Sequence, residues 1–140
     1  MATEIKIKNI PIGYQSFISN GRHAIVGDEP IPAKGTDLGF SPTELVLAGI
    51  SMCKVATIRN VARRKGWEIG NVDSHLNQEV SRGENRSLAT RVTSHITIEG
   101  DITDEQRDYL IKEADNCYVT RMMKGAWTFE DSTVDEAVLV

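Results

Sequence analysis

Apolar and polar residues alternate through residues 3–10, with Ile5, Ile7 and Ile10 set against Lys6 and Lys8. A period of two predicts a half-buried strand. Pro11 and Gly13 end it, and residues 14–19 predict a second strand. Asn20 and Gly21 both accept positive φ, so they predict a hairpin turn into a third strand over residues 22–26. The chain therefore opens on an antiparallel meander. Residues 27–40 hold Gly27, Gly35 and Gly39 with Pro30 and Pro32, which predicts an ordered loop. In it, Asp28-Glu29 reads as a solvated, turn-forming pair. No repeat or low-complexity tract interrupts the chain.

Ser41 predicts a helix N-cap, with Pro42 at N1 and Glu44 at N3 completing a capping box. The helix runs to about Lys65, where Gly66 supplies the C′ stop, a length of roughly 36 Å. Residues 45–53 are apolar on every side, so this half is expected to be buried on every side. Arg59, Arg63, Arg64 and Lys65 suit the helix C-terminal dipole. Two strands follow, with Val72, Leu76 and Val80 on one apolar face and Leu88, Val92, Ile96 and Ile98 on the other strand's. The opposite faces are polar, and Gly83-Glu84-Asn85 predicts the turn between them. Thr103 and Gln106 form a second capping box before a helix whose buried stripe is Tyr109, Leu110, Ile111 and Ala114. One helical turn is expected through Met123, then a last strand over residues 126–130. The order of elements favours an α+β fold of one domain, residues 1–140, with antiparallel sheets packed around a long central helix. One small sheet can cover only one side of that apolar helix, so a second copy is expected to supply the rest, as an intertwined homodimer.

Charge narrows the function. A net charge of -4 over 140 residues lacks the basic excess of a nucleic-acid binder and gives an anionic membrane surface nothing to attract. The N-terminal segment has no apolar h-region, and the strongly apolar run ends at Lys54, well short of the ~20 residues of a membrane span. A cytoplasmic protein is expected. No phosphate-binding glycine motif occurs. The three histidines, His23, His75 and His95, lack helical metal-pair spacing. His75 and His95 read as solvated neighbours on one hairpin, and no metal or cofactor is expected.

Two cysteines remain, Cys53 and Cys117, with no CxxC spacing. They are either inert core thiols or a reactive thiol with a resolving partner. Both lie on elements whose apolar faces turn to the core, so the sulfurs could meet there. A reactive thiol needs a cation or donor to lower its pKa. Arg22, Lys34, Lys54 and Arg121 are the candidates.

The segment Gly39-Phe40-Ser41-Pro42-Thr43-Glu44-Leu45, running on through residues 46–53, resembles the first signature of the OsmC/Ohr family, where a [SN]-P-x-E-L opening leads into the helix of the reactive cysteine. Ala114-Asp115-Asn116-Cys117-Tyr118-Val119 resembles the second signature, with Tyr118 where a proline is usual. Thr43 stands where many members carry an acid. The resemblance implies an intertwined α+β dimer with sites at the subunit interface, acting as a thiol-dependent peroxidase in oxidative or osmotic stress defence. It would reduce organic hydroperoxides, and hydrogen peroxide less well. Cys53 would be peroxidatic and Cys117 resolving, joined as a disulfide in the cycle. Reducing equivalents would come from a dithiol such as a lipoylated protein. Glu44 matches the family's acidic position, and Arg22 is the candidate for its activating arginine. The alternative is a non-enzymatic dimer binding a small apolar ligand on the same fold.

Overall fold

The computed structural model describes residues 2–135. Its first part is an antiparallel meander, β1 (Lys6–Asn9), β2 (Ser16–Ser19) and β3 (Ala24–Gly27), with β2 in the middle. The predicted turn is present: Gly21 takes a φ of 95°, and Asn20 Oδ1 accepts the amides of Arg22 and His23 at 2.9 and 2.8 Å. Those bonds hold Arg22 and His23 in the turn, so β3 starts two residues later than the pattern suggests. Ile5 and Ile7 are 54% and 61% exposed rather than half-buried. The meander packs mainly within itself, which leaves that face open in the single chain.

The loop of residues 28–40 contains one turn of 3-10 helix, Ile31–Ala33. Asp28 organises it. Far from being solvated, Asp28 is buried, and its carboxylate accepts the amides of Glu29, Leu38 and Tyr14 at 2.8, 3.1 and 3.2 Å as well as the Thr36 hydroxyl. A loop folded back on itself must satisfy its amides somewhere, and Asp28 does so. Burial pushes the Asp28 carboxyl up, but the Thr36 hydroxyl and the amides of Leu38, Glu29 and Thr36 outweigh it and hold it far below the usual range.

Helix α1 (Pro42–Lys65) begins with the predicted capping box: the Glu44 amide donates to Ser41 Oγ at 3.3 Å, and the Ser41 amide donates to Glu44 Oε1 at 3.0 Å. It stops at Gly66, whose φ of 72° lets its amide reach the Ala62 and Arg63 carbonyls. Strands β4 (Val72–Arg82) and β5 (Leu88–Ile98) form a long hairpin in which Val72 faces Ile98 and His75 faces His95. The hairpin turn takes Asn85 and Arg86 into positive φ. Both histidines are exposed. Helix α2 (Asp104–Asp115) starts at its own capping box, and the short α3 (Tyr118–Lys124) ends at Gly125.

The core lies under the second half of α1. Ile58, Val61 and Ala62 pack with Ile98 of β5 and Leu110 and Ala114 of α2. Tyr109, expected in the stripe, is 39% exposed, because its ring stands edge-on to Trp67 with Lys65 above it. Val80, Leu88 and Val92 are exposed as well. The first half of α1 also departs from expectation: Ile50 is buried, yet Val46 is 46% and Met52 75% exposed. By length and composition α1 is apolar enough to cross a bilayer, although Lys54 sits in its middle. The expected strand over residues 126–130 is absent. Those residues are coil with Trp127 stacked on Phe129, and among the described residues no strand pairs with them. The end of the tail, residues 136–140, lies outside the described residues. The architecture is α+β, with antiparallel sheets and one dominant helix.

Candidate thiol site

Three helices converge at one point on α1. Cys53 and Lys54 are adjacent at mid-helix, α2 ends at Asp115, and Cys117 caps α3. The link between α2 and α3 is tight, with the Cys117 amide bonded to the Ala114 carbonyl at 3.2 Å. This short corner carries Cys117 from the end of α2 back onto α1. α1 is in turn held against the sheet by Ser51 Oγ donating to Ser74 Oγ at 2.8 Å.

Both cysteines are free thiols, and they lie on neighbouring turns of α1 and α3. Cys53 Sγ lies at the first turn of α3, the helix that Cys117 caps. Their environments differ. Cys53 is partly open to solvent, and its Sγ accepts the Val119 amide at 3.4 Å. Cys117 is only 1% exposed, and its Sγ sits 3.0 Å from Thr120 Oγ1. Burial alone pushes the Cys117 thiol up, because it penalises the thiolate. The Thr120 hydroxyl and amide, the Cys53 side chain and the charge of Lys54 pull the other way and win, so the thiol lies below its ordinary value.

Lys54 is buried, with an exposure of 6%. Its Nζ donates to Asp115 Oδ1 at 3.1 Å, while the Asp115 side chain keeps 63% of its surface in solvent. This arrangement gives the buried ammonium a counter-charge that is hydrogen-bonded to it and also hydrated. A cavity of about 690 Å³ opens beside the pair, lined by Ile50, Val92 and Met123 with Thr120, Lys54 and Lys124.

The other residues that sequence reasoning nominated lie elsewhere. Glu44 is occupied by the capping box, and the Ser41 amide and hydroxyl hold its carboxyl below the usual value. It sits more than two turns before Cys53 along the same helix. Arg22 is exposed in the hairpin turn, and among the described residues its side chain contacts neither cysteine nor Glu44. Lys34 is exposed at the end of the 3-10 turn, and Arg121 lies over the Tyr118 ring. Of the four candidate cations only Lys54 reaches the thiols. Asp115, Thr120 and the Val119 amide were not nominated. Thr120 had a local signal, three residues after Cys117 on the same helical face. Asp115 had none, because its pairing with Lys54 spans much of the chain.

Comparison with curated proteins gives no match. Solved structures do match. An OsmC-like protein from Mycoplasma pneumoniae is similar with a TM-score of 0.72 at 20% identity, covering 89% of this chain and 89% of that one. An organic hydroperoxide resistance protein from Elizabethkingia anophelis gives 0.70 at 20% identity, covering 89% of both chains. A further organic hydroperoxide resistance protein, from Legionella pneumophila, gives 0.69 at 18% identity over 89% of this chain and 90% of that one. At these identities the likeness is one of fold. The model of the OsmC-like protein family matches residues 35–130, from the loop before α1 through both cysteines to the coil after α3, and the chain therefore belongs to that family.

Proposed function

We propose that this protein is a cytoplasmic thiol-dependent peroxidase acting on organic hydroperoxides in oxidative or osmotic stress defence. The observation that carries the reading is the neighbouring placement of two free thiols in unequal settings: Cys53 open to a substrate, Cys117 buried beside it. Two inert core cysteines would not need a hydroxyl, an amide and a paired lysine around their sulfurs.

The cycle runs in three steps. The Cys53 thiolate attacks the distal peroxide oxygen, the O–O bond breaks, and the alkoxide leaves as an alcohol after taking a proton. Cys53 is then a sulfenic acid. The Cys117 thiolate attacks the Cys53 sulfur, an S–S bond forms, and hydroxide leaves to become water. A dithiol such as a lipoylated protein then attacks the disulfide and closes its own, returning both cysteines to thiols. The Val119 amide supports negative charge on Cys53 in the first step. Glu44 and Arg22 keep the roles that the resemblance implies, as the acid and the activating arginine, provided a second copy brings Arg22 to Cys53.

The same reading takes the protein as one domain that forms a homodimer. The exposed apolar surface on the first half of α1 and on the meander supports this, since a face of that extent is costly in water. The alternative of an apolar-ligand binding protein draws on the cavity beside Lys54, whose size suits a small molecule.

The test is peroxide consumption by the reduced protein with a dithiol, comparing cumene hydroperoxide with hydrogen peroxide. Turnover should vanish in Cys53→Ser, and sulfenate should accumulate in Cys117→Ser. A wild-type protein that consumes no peroxide while it binds an apolar probe would give the fold to binding instead.

A further inference from the structure

Among the described residues Lys54 is the one buried cation near the thiols, and the peroxide-reducing step gives it no task. Its Nζ is turned towards the α2–α3 corner, bonded to Asp115 two residues before Cys117 and lining one cavity with Thr120. Peroxide meets Cys53, which has solvent access and its own amide donor. Cys117 is shut away from water, where a thiolate lacks hydration and must be stabilised by fixed groups. Thr120 Oγ1 at 3.0 Å is one such group. The other is the Lys54 ammonium, which Asp115 holds at 3.1 Å so that it cannot swing out to solvent.

We propose that Lys54 is a positioning residue for the disulfide half of the cycle, holding Cys117 as thiolate both when it attacks the Cys53 sulfenic acid and when it departs on reduction. The proposal rests on the peroxidase reading and adds to it a residue and a direction of reduction. A dithiol reaches Cys53, the sulfur with solvent access, and forms a mixed disulfide there as the Cys53–Cys117 bond breaks. The electron pair of that bond leaves on Cys117. Thiol–disulfide exchange is faster when the leaving thiol is more acidic, so the Lys54 charge near Cys117 favours release. The second thiol of the reductant then displaces Cys53, and the reductant leaves as its own disulfide. The charged groups facing this cavity are Lys54 from α1, Asp115 from the end of α2 and Lys124 from α3, and β5 contributes only Thr90, Val92 and Ser94. Of these, Lys54 is the one that acts on the Cys117 thiol, and Asp115 tempers it.

The experiment has two parts. In Cys53→Ser, where Cys117 is the only thiol, ultraviolet thiolate absorbance is titrated with Lys54 intact, as Lys54→Met and as Lys54→Arg. Lys54→Met should raise the titration midpoint by about one pH unit, and Lys54→Arg should restore most of it. In the two-cysteine protein, rapid mixing with cumene hydroperoxide follows sulfenate formation and then disulfide closure. Lys54→Met should slow closure about tenfold near neutral pH and move its pH profile upward, while sulfenate still forms at Cys53. Methionine fills the lysine's volume and leaves Asp115 in solvent, and circular dichroism checks that the variant is folded. A Cys117 midpoint and a closure profile indifferent to Lys54→Met would overturn the proposal. A wild type that consumes no peroxide would overturn the peroxidase reading itself, a result separate from the titration.

Discussion

The two halves of α1 obey different rules, and Cys53-Lys54 marks the border between them. Beyond the border, Ile58 is fully buried and Val61 and Ala62 nearly so, packed by β5 and α2 of the same chain. Before it, Val46 and Met52 are 46% and 75% exposed, although this half is the more apolar by composition. Burial within the chain thus follows what the topology brings close, and hydrophobicity alone does not decide it. The second half makes the fold, and the first half offers a surface. The thiol site lies where the two meet, so a partner covering the first half would also border the cysteines.

That contrast can be broken by substitution. The largest effect is expected from Ile58→Ala, which opens a cavity in a closed core and should cost about 2–5 kcal/mol in chemical denaturation. Met52→Glu should leave the secondary structure intact and shift the proposed dimer to monomer in sedimentation velocity. A dimer that persists in Met52→Glu would place the interface elsewhere. A smaller, local effect is expected at the border. Thr120→Val removes the hydroxyl that helps hold the Cys117 thiol below its ordinary value. A lowered thiol pKa means that the thiolate forms earlier as pH rises. The variant should therefore need higher pH for disulfide closure, with a loss of about tenfold or less near neutrality, read by stopped flow. The smallest effect is expected from Glu44→Gln. Glutamine also closes a capping box, so stability should hardly change. Turnover that falls along with the carboxylate charge would then assign Glu44 a part in the chemistry beyond capping.

What the sequence made legible was local. Ser41, Glu44 and Gly66 specify α1 through contacts within four residues of each end, and the bounds of the helix follow. Thr103 and Gln106 do the same for α2. Asn20-Gly21 sets the hairpin turn in the same way. The cysteines were legible as a pair, by elimination and by family resemblance. What failed depended on distant partners. Residues 126–130 alternate like a strand, but alternation supplies no neighbour to bond with. Asp28 looked solvated because its partners Thr36 and Leu38 lie across a loop. Lys54 was one of four equal candidates until its bond to Asp115, two residues before Cys117, was seen.

The Asp28 clasp has a consequence for how the chain meets a protease. A glycine- and proline-rich loop on a surface is ordinarily where nicking begins. Here one carboxylate ties the amides of Tyr14, Glu29 and Leu38 together, and the backbone at Gly39 runs so close to the Val26 carbonyl that no side chain would fit between them. A segment bound in this way cannot extend into a protease cleft without giving up all those bonds together. The first cut should therefore fall in the coil after Gly125, and the approach to the thiol helix should survive as one piece with the meander that precedes it.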